Sequence, residues 1–198
     1  MRPPAIQLLG LVGVSIFAFG VGSCADPVHD RQVEDLGSEV GDLNEYHRAG
    51  QPCLTCHGSL GPATTRFSIA GTVFAAPWTS AATTAVGVAD VEIELVDATG
   101  ATPPLGTVKT NCVGNFFVKR EEWDPAFPAL VWIRKGAGSA GLKKMQSHIG
   151  REPSCNQCHR DPASFDSPGH IFMYDAEPNT LPPAGCPVDP VVPLRGGP

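Results

Sequence analysis

A five-residue frame, Cys-x-x-Cys-His, occurs twice in this chain and restricts its chemistry more than any other pattern. It lies within QPCLTCHG at positions 51–58 and again within PSCNQCH at positions 153–159. Because Cys fills only 7 and His only 6 of 198 positions, chance would give a single match in roughly one per cent of such chains or fewer. Composition therefore does not explain the pair of frames, and their chemistry decides most of the function.

The N-terminal stretch indicates export. Arg2 is followed by an uncharged apolar run over residues 5–22, which leads to small residues around Cys24. The stretch resembles a bacterial lipoprotein signal, in which residues 1–23 are removed and Cys24 becomes the acylated first residue. Cleavage after Ala25 and a retained membrane anchor are the alternatives. All three carry the body of the protein across a membrane, and lipidation implies the periplasm or the outer membrane of the bacterial envelope.

Charge and composition exclude two classes of protein. The chain has 14 Lys and Arg against 20 Asp and Glu, a net charge of −6, which is the opposite of what nucleic-acid binding requires. With 22 Gly and 20 Pro, the chain has too many helix breakers for a helical bundle. Its length allows one core with small appendages.

Two cysteines are left over once the frames and Cys24 are set aside. They are Cys112 and Cys186, and in an exported protein such a pair is most simply a disulfide. Two buried free thiols are the alternative, and only the geometry of the folded chain decides between them.

Residues 24–62 are predicted to contain an N-terminal helix followed by the first frame. Asp26 as N-cap and Pro27 at the first helical position form a helix start. Apolar residues then recur at the three-four spacing of one helix face, at Val33, Leu36, Val40 and Leu43. His47 continues this stripe, and Gly50 ends the helix.

Beyond about residue 67 the apolar period changes from three-four to two. The segment GVADVEIELVDATG alternates apolar and acidic residues, as a half-buried strand does. The segments GTVKTNCVGNFFVK and PALVWIRKG read as further strands joined by short turns. Short strands without intervening helices predict a mainly β fold, with an antiparallel β-sandwich over residues 63–137.

The order of these strands resembles the carboxypeptidase regulatory-like domains, which are small transthyretin-like β-sandwiches. The similarity runs from GTV through GVADVEIELVDATG and TVKTNCVGNF to an apolar strand, about residues 67–137. It implies a structural module without catalytic residues. Cys112 departs from the pattern, since the family commonly has a small polar residue at that turn.

The remainder of the chain carries the second frame. Residues 138–177 begin with several glycines and are predicted to be largely irregular, like the first frame-bearing segment. Residues 178–198 form a Pro-rich stretch that predicts an extended tail.

Both frames resemble the haem-attachment motif of c-type cytochromes, in which two thiols are joined to the haem vinyl groups and the histidine binds iron. The resemblance implies two covalent haem c groups. Cys53, Cys56 and His57 would hold the first, and the second would be held by Cys155, Cys158 and His159. A zinc site made of the four cysteines and a thioredoxin-like redox pair are the alternatives. Zinc would leave both histidines without a role.

A second axial ligand on each iron would distinguish an electron carrier from a catalyst. His47 precedes Cys53 by six residues and His148 precedes Cys155 by seven, and an extended span of six residues reaches about 20 Å. A surface histidine or a core thioether is the alternative for each candidate. The candidates for axial iron ligands are His57, His159, His47 and His148, with Met145 and His170 as further candidates.

Electron transfer by a membrane-anchored, exported dihaem c-type cytochrome is the function that the resemblance implies. Its partners would be other redox proteins or cytochromes, with no enzymatic reaction of its own. A haem enzyme or sensor, for example a peroxidase with one five-coordinate iron, is the alternative. A third hypothesis is a self-assembling surface module whose haems form an electron path between subunits.

Overall fold

The computed structural model describes residues 26–39, 43–77, 86–136, 141–173 and Cys186. The predicted signal segment with Cys24, and the tail apart from Cys186, lie outside these residues. The helices are α1 Pro27–Asp35, α2 Cys53–His57 and α3 Cys155–Cys158. The strands are β1 Phe67–Phe74, β2 Glu92–Val96, β3 Thr107–Lys109, β4 Asn115–Lys119, β5 Leu130–Arg134, β6 Leu142–Lys144 and β7 Ile171–Phe172.

The strands form two sheets with a shared core. One sheet has the order β4-β1-β7, with β4 antiparallel and β7 parallel to β1; the other has the order β3-β2-β5-β6 and is antiparallel throughout. Buried residues of both sheets form one hydrophobic cluster, which includes Ile69, Ile93, Phe116 and Ile133. The predicted mainly β, sandwich-like fold is confirmed. Strands β6 and β7 come from the segment 138–177, which was expected to be irregular.

Strand β2 follows the predicted alternation. Ile93 and Leu95 are buried in the core, while Glu92 and Glu94 point away from it. Glu92 pairs with Lys109 on β3 at 3.5 Å, and Glu94 pairs with Arg134 on β5. Each fully buried aliphatic side chain contributes about 1.5–3 kcal/mol, whereas these exposed ion pairs contribute little. The apolar face therefore fixes the register of the strand.

The N-terminal helix is much shorter than the sequence indicated. Its start is as predicted, because the Asp26 carboxylate accepts hydrogen bonds from two backbone N–H groups of the first turn, each at 3.1 Å. The helix nevertheless ends at Asp35, and Gly37 adopts a left-handed conformation with φ +70°, which is a common helix terminator. Leu43 is 81% exposed and residues 45–50 form turns. The prediction of a helix continuing to His47 was wrong.

Strand β1 is the structural centre of the molecule. Its pattern of burial leaves only Phe67 partly exposed, and both α2 and α3 contact it. The two frames, far apart in sequence, thus pack against the same strand. Cys112, in the turn before β4, is joined to Cys186 by a disulfide with Cα atoms 5.9 Å apart. None of the helices in the described ranges has the length and hydrophobicity needed to cross a lipid bilayer.

Candidate cofactor sites at the two Cys-x-x-Cys-His frames

Each frame folds into a single helical turn. Helix α2 contains the whole first frame, and α3 contains the second up to His159, which is its C-cap. The residues before the two turns, Pro52 and Ser154, are extended. Positions i and i+3 of a helix share a face, so the two sulfurs of each frame lie side by side. The histidine follows at the end of the turn.

His57 is held by a hydrogen bond and by an aromatic ring. Its Nδ1 lies 2.9 Å from the Thr65 carbonyl oxygen, and since a carbonyl only accepts, Nδ1 carries the proton. The ring also stacks on Phe67 with a centroid distance of 4.2 Å. Burial lowers the pKa of His57, with the Thr65 bond acting in the opposite direction. The Nε2 atom of the neutral imidazole is thus available to bind a metal.

His159 in the second frame has the same arrangement. Its Nδ1 donates to the Gly169 carbonyl oxygen at 3.0 Å, and burial lowers the pKa of its ring. Gly169 has φ +85°, and a Cβ at this position would lie 2.6 Å from the Pro77 carbonyl oxygen. Only glycine fits there, so the backbone acceptor for His159 depends on this residue. Both frames therefore present Nε2 and hold Nδ1 on a backbone carbonyl.

His47 faces the first frame, although the predicted helix does not place it there. Its ring centroid lies 5.9 Å from that of His57, with an angle of 28° between the planes, and its Nδ1 donates to the Asn44 carbonyl. Asn115 of β4 donates to the His47 carbonyl at 3.0 Å, and the Arg48 guanidinium donates to the Leu36 carbonyl at 2.9 Å. These bonds hold the turn in the position that the helix was expected to give.

A cavity of about 690 Å³ opens beside the first frame. This volume lies within the range of about 300–1,000 Å³ that is usual for cofactor and ligand pockets. The exposed Leu43 side chain adds apolar surface to its wall. The residues that matter for a bound group are among its lining: His47, Cys53, Cys56, His57, Phe67 and Phe117.

The rings of His47 and His57 stack, with their centroids 5.9 Å apart. Both rings use Nδ1 for a backbone carbonyl, so neither carbonyl occupies Nε2. Two imidazoles beside one cavity are residues that could hold the metal of a bound group.

Burial disfavours the thiolate form of three of the frame cysteines. Burial raises the pKa of Cys53 and of Cys155 to about 12 each, and burial also raises the pKa of Cys56. Reactive redox dithiols have lowered pKa values, so a thioredoxin-like pair is disfavoured. Among the described residues, which include all four frame cysteines, no three Cys, His, Asp or Glu side chains are grouped to hold a metal ion.

The other candidate ligands differ in their surroundings. His148 is exposed, and Met145 packs against the hydrophobic core. His170 stacks on Phe74 with centroids 4.1 Å apart, and its buried Nδ1 has no hydrogen-bond partner in the described part of the chain. Burial lowers the pKa of His170, the Asp161 carboxylate and the Ala76 backbone act in the opposite direction, and the nearby His159 adds slightly to the lowering. His170 is thus the candidate that the structure brings to the second frame.

Comparisons of the chain with protein-family models, with curated proteins and with solved structures give no match. The fold and the geometry of the two frames therefore carry what can be said about function.

Proposed function

We propose that this chain holds two covalent haem c groups and transfers single electrons as an exported dihaem cytochrome. It would be attached to the bacterial envelope through a lipid on Cys24, with other redox proteins as partners. One observation carries the proposal: in both frames, the histidine follows two cysteines on a single helical turn, and its Nδ1 is bonded to a backbone carbonyl. Such an outer hydrogen bond is typical of metal-binding histidines.

The residues around the first frame have separate roles in this proposal. Cys53 and Cys56 would tether the macrocycle, and His57 and His47 would bind its iron. Phe67 and Phe117, stacked with centroids 4.6 Å apart, line the cavity and reduce the access of water. A bound haem supplies one-electron chemistry, while axial ligands and burial set its reduction potential.

The test of the proposal counts haems on the polypeptide. The protein is produced in a host that matures c-type cytochromes, and a pyridine haemochrome assay is combined with intact mass. Two haems per chain are expected, and one after the paired change Cys53→Ala and Cys56→Ala. The matched control, Cys112→Ala with Cys186→Ala, should retain two. Wild-type protein without a covalent haem, or with zinc bound by the frame sulfurs, would refute the proposal.

The second frame favours one alternative, a haem enzyme or sensor. In the described residues, no histidine ring stacks with His159 as His47 stacks with His57, and His148 is exposed. A five-coordinate iron at this frame would bind small ligands. Absorption spectra separate the two functions: an electron carrier remains low-spin in both oxidation states, whereas an enzyme shows a high-spin fraction that binds carbon monoxide or peroxide.

A further inference from the structure

A buried polar contact joins the two frames. Asn156, the first variable residue of the second frame, is 1% exposed. Its Oδ1 accepts from the Thr72 N–H at 3.2 Å, and its Nδ2 donates to the Thr72 hydroxyl at 3.0 Å and to the Gln51 carbonyl at 2.9 Å. Gln51 lies two positions before Cys53. One carboxamide thus connects the second frame to β1 and to the first frame.

The Thr72 hydroxyl extends this contact to the candidate ligand of the first frame. It accepts from the Gly50 N–H at 2.9 Å and donates to Asn115 Oδ1 at 2.8 Å. Asn115 in turn donates to the His47 carbonyl at 3.0 Å. We call Gln51, Thr72, Asn115 and Asn156 the junction. All four side chains are buried, so water competes little for these bonds.

The junction completes the free edge of β1. The Pro153 carbonyl accepts from the Ala70 N–H at 3.3 Å, and β7 begins to pair with β1 at Val73. Between them, Asn156 binds the Thr72 N–H in place of a strand. The second frame is packed tightly here, since a Cβ on Gly71 would lie 2.7 Å from the Cβ of Cys155. The second frame therefore has little freedom to shift along β1.

The two helical turns start at the junction and run in opposite directions. Helix α2 leads to His57, which stacks on Phe67 at the beginning of β1. Helix α3 leads to His159, bonded to Gly169, next to the His170 ring on Phe74 at the end of β1. The histidines therefore diverge, and the first cysteine of each frame stays near the junction. Groups tethered by these two cysteines would therefore both be attached next to the junction.

We propose that the junction is a positioning device which holds the two haem groups edge to edge near Cys53 and Cys155, so that they form one coupled redox pair. This inference rests on the proposed attachment of two haems. In the half-reduced protein, the two haems would supply the exchange of one electron, with the ferrous iron oxidised and the ferric iron reduced; no bond would form or break and no proton would move. Asn156 acts through the backbone of both frames and does not contact the iron ligands.

The test uses the matured protein and circular dichroism in the Soret band. Two haems in fixed, close positions give a two-signed exciton signal that is absent from the summed spectra of two single-haem variants. These variants are the paired Cys→Ala changes in the first frame and in the second. Asn156→Ala should reduce the amplitude of the signal at least twofold while intact mass still shows two haems. Gln157→Ala is the matched control, because Gln157 follows Asn156 directly and its side chain makes no hydrogen bond to the described residues. This variant should leave the signal unchanged.

A second pair of variants covers the case in which Asn156→Ala fails to mature. Thr72→Ser keeps the hydroxyl and should keep the signal, whereas the nearly isosteric Thr72→Val should lose it. A wild-type spectrum equal to the sum of the single-haem spectra would overturn the coupled pair and leave the proposed function intact. An unchanged signal in both Asn156→Ala and Thr72→Val would overturn the positioning role. Wild-type protein without covalent haem would overturn both proposals.

Discussion

Replacing Thr72 by valine tests how much the fold depends on the polar bonds around β1. The substitution keeps the shape of the side chain but removes a hydroxyl that makes three hydrogen bonds, to Gly50, Asn115 and Asn156. Asn156 keeps the Gln51 carbonyl as an acceptor for Nδ2, whereas the Gly50 N–H and Asn115 Oδ1 each lose a partner. A buried polar group without a partner costs about 1–3 kcal/mol. The free energy of unfolding should fall by about 3 kcal/mol, a large part of the usual 5–15 kcal/mol of a domain.

Urea denaturation of the matured protein, followed by far-ultraviolet circular dichroism, measures this loss. Thr72→Ser retains the hydroxyl and removes one methyl group, so it should cost only about 1 kcal/mol. Thr107→Val on β3 makes the same chemical change at a half-buried position without side-chain hydrogen bonds in the described structure, and it should be neutral within about 0.5 kcal/mol. If Thr72→Val unfolded at the same urea concentration as Thr107→Val, the argument from unpaired buried groups would be refuted.

Three further predictions concern the first iron site, a buried turn and the disulfide. His47→Ala should convert about half of the haem from low-spin to high-spin and allow carbon monoxide to bind, which absorption spectra detect; a fully low-spin variant would exclude His47 as a ligand. The Thr99 hydroxyl, together with backbone N–H groups, lowers the pKa of Asp97 from 3.8 to about 2, so this stabilisation is present above pH 3.8 and is lost as the pH falls towards 2. Asp97→Asn should reduce the urea midpoint at neutral pH and flatten its pH dependence over that interval, and an unchanged slope would contradict the assignment. Changing Cys112 and Cys186 to serine opens a cross-link across 74 positions and should lower the free energy of unfolding by up to about 4 kcal/mol, measured by urea denaturation with and without a reducing agent.

The β-sandwich could be predicted from the sequence because the patterns that indicate strands are local. Side chains alternate across a strand, so the Ile and Leu positions of β2 mark a core face whatever the rest of the chain does. Ile93 and Leu95 lie in the core as this alternation predicts. The start of α1 could be predicted for the same reason, because Asp26 and Pro27 act on the first helical turn alone.

The length of α1 could not be predicted from the sequence, because the spacing of apolar residues does not reveal whether a core lies beneath them. No residue of α1 is buried, and a short helix without a packed face is marginally stable. Gly37 could therefore end it. His47 reaches the first frame through turns held by Asn115 and Arg48. His47 thus lies beside the first frame through these turns and not through the predicted helix, and its role as an iron ligand stays a prediction.

The proximity of the two frames could not be predicted from local sequence patterns either. The bond between Asn156 and Thr72 joins residues 84 positions apart, and the bond to Gln51 joins residues 105 positions apart. An asparagine at a variable position of the frame carries no sign of this role in the sequence. Only the topology shows it, because the chain returns to the open edge of β1 after the sandwich is complete.

The position of the frames on β1 follows from what a small sandwich can bury. Its core lies between the two sheets and is filled by apolar side chains, so it has no room for a large planar group. The first frame instead has its cavity outside the core, and the second takes the edge of β1 that no full strand covers. That edge has N–H groups which must be paired when buried, and Asn156 pairs one of them from within the second frame. The need to close a sheet edge is thus what brings the second Cys-x-x-Cys-His turn to the first.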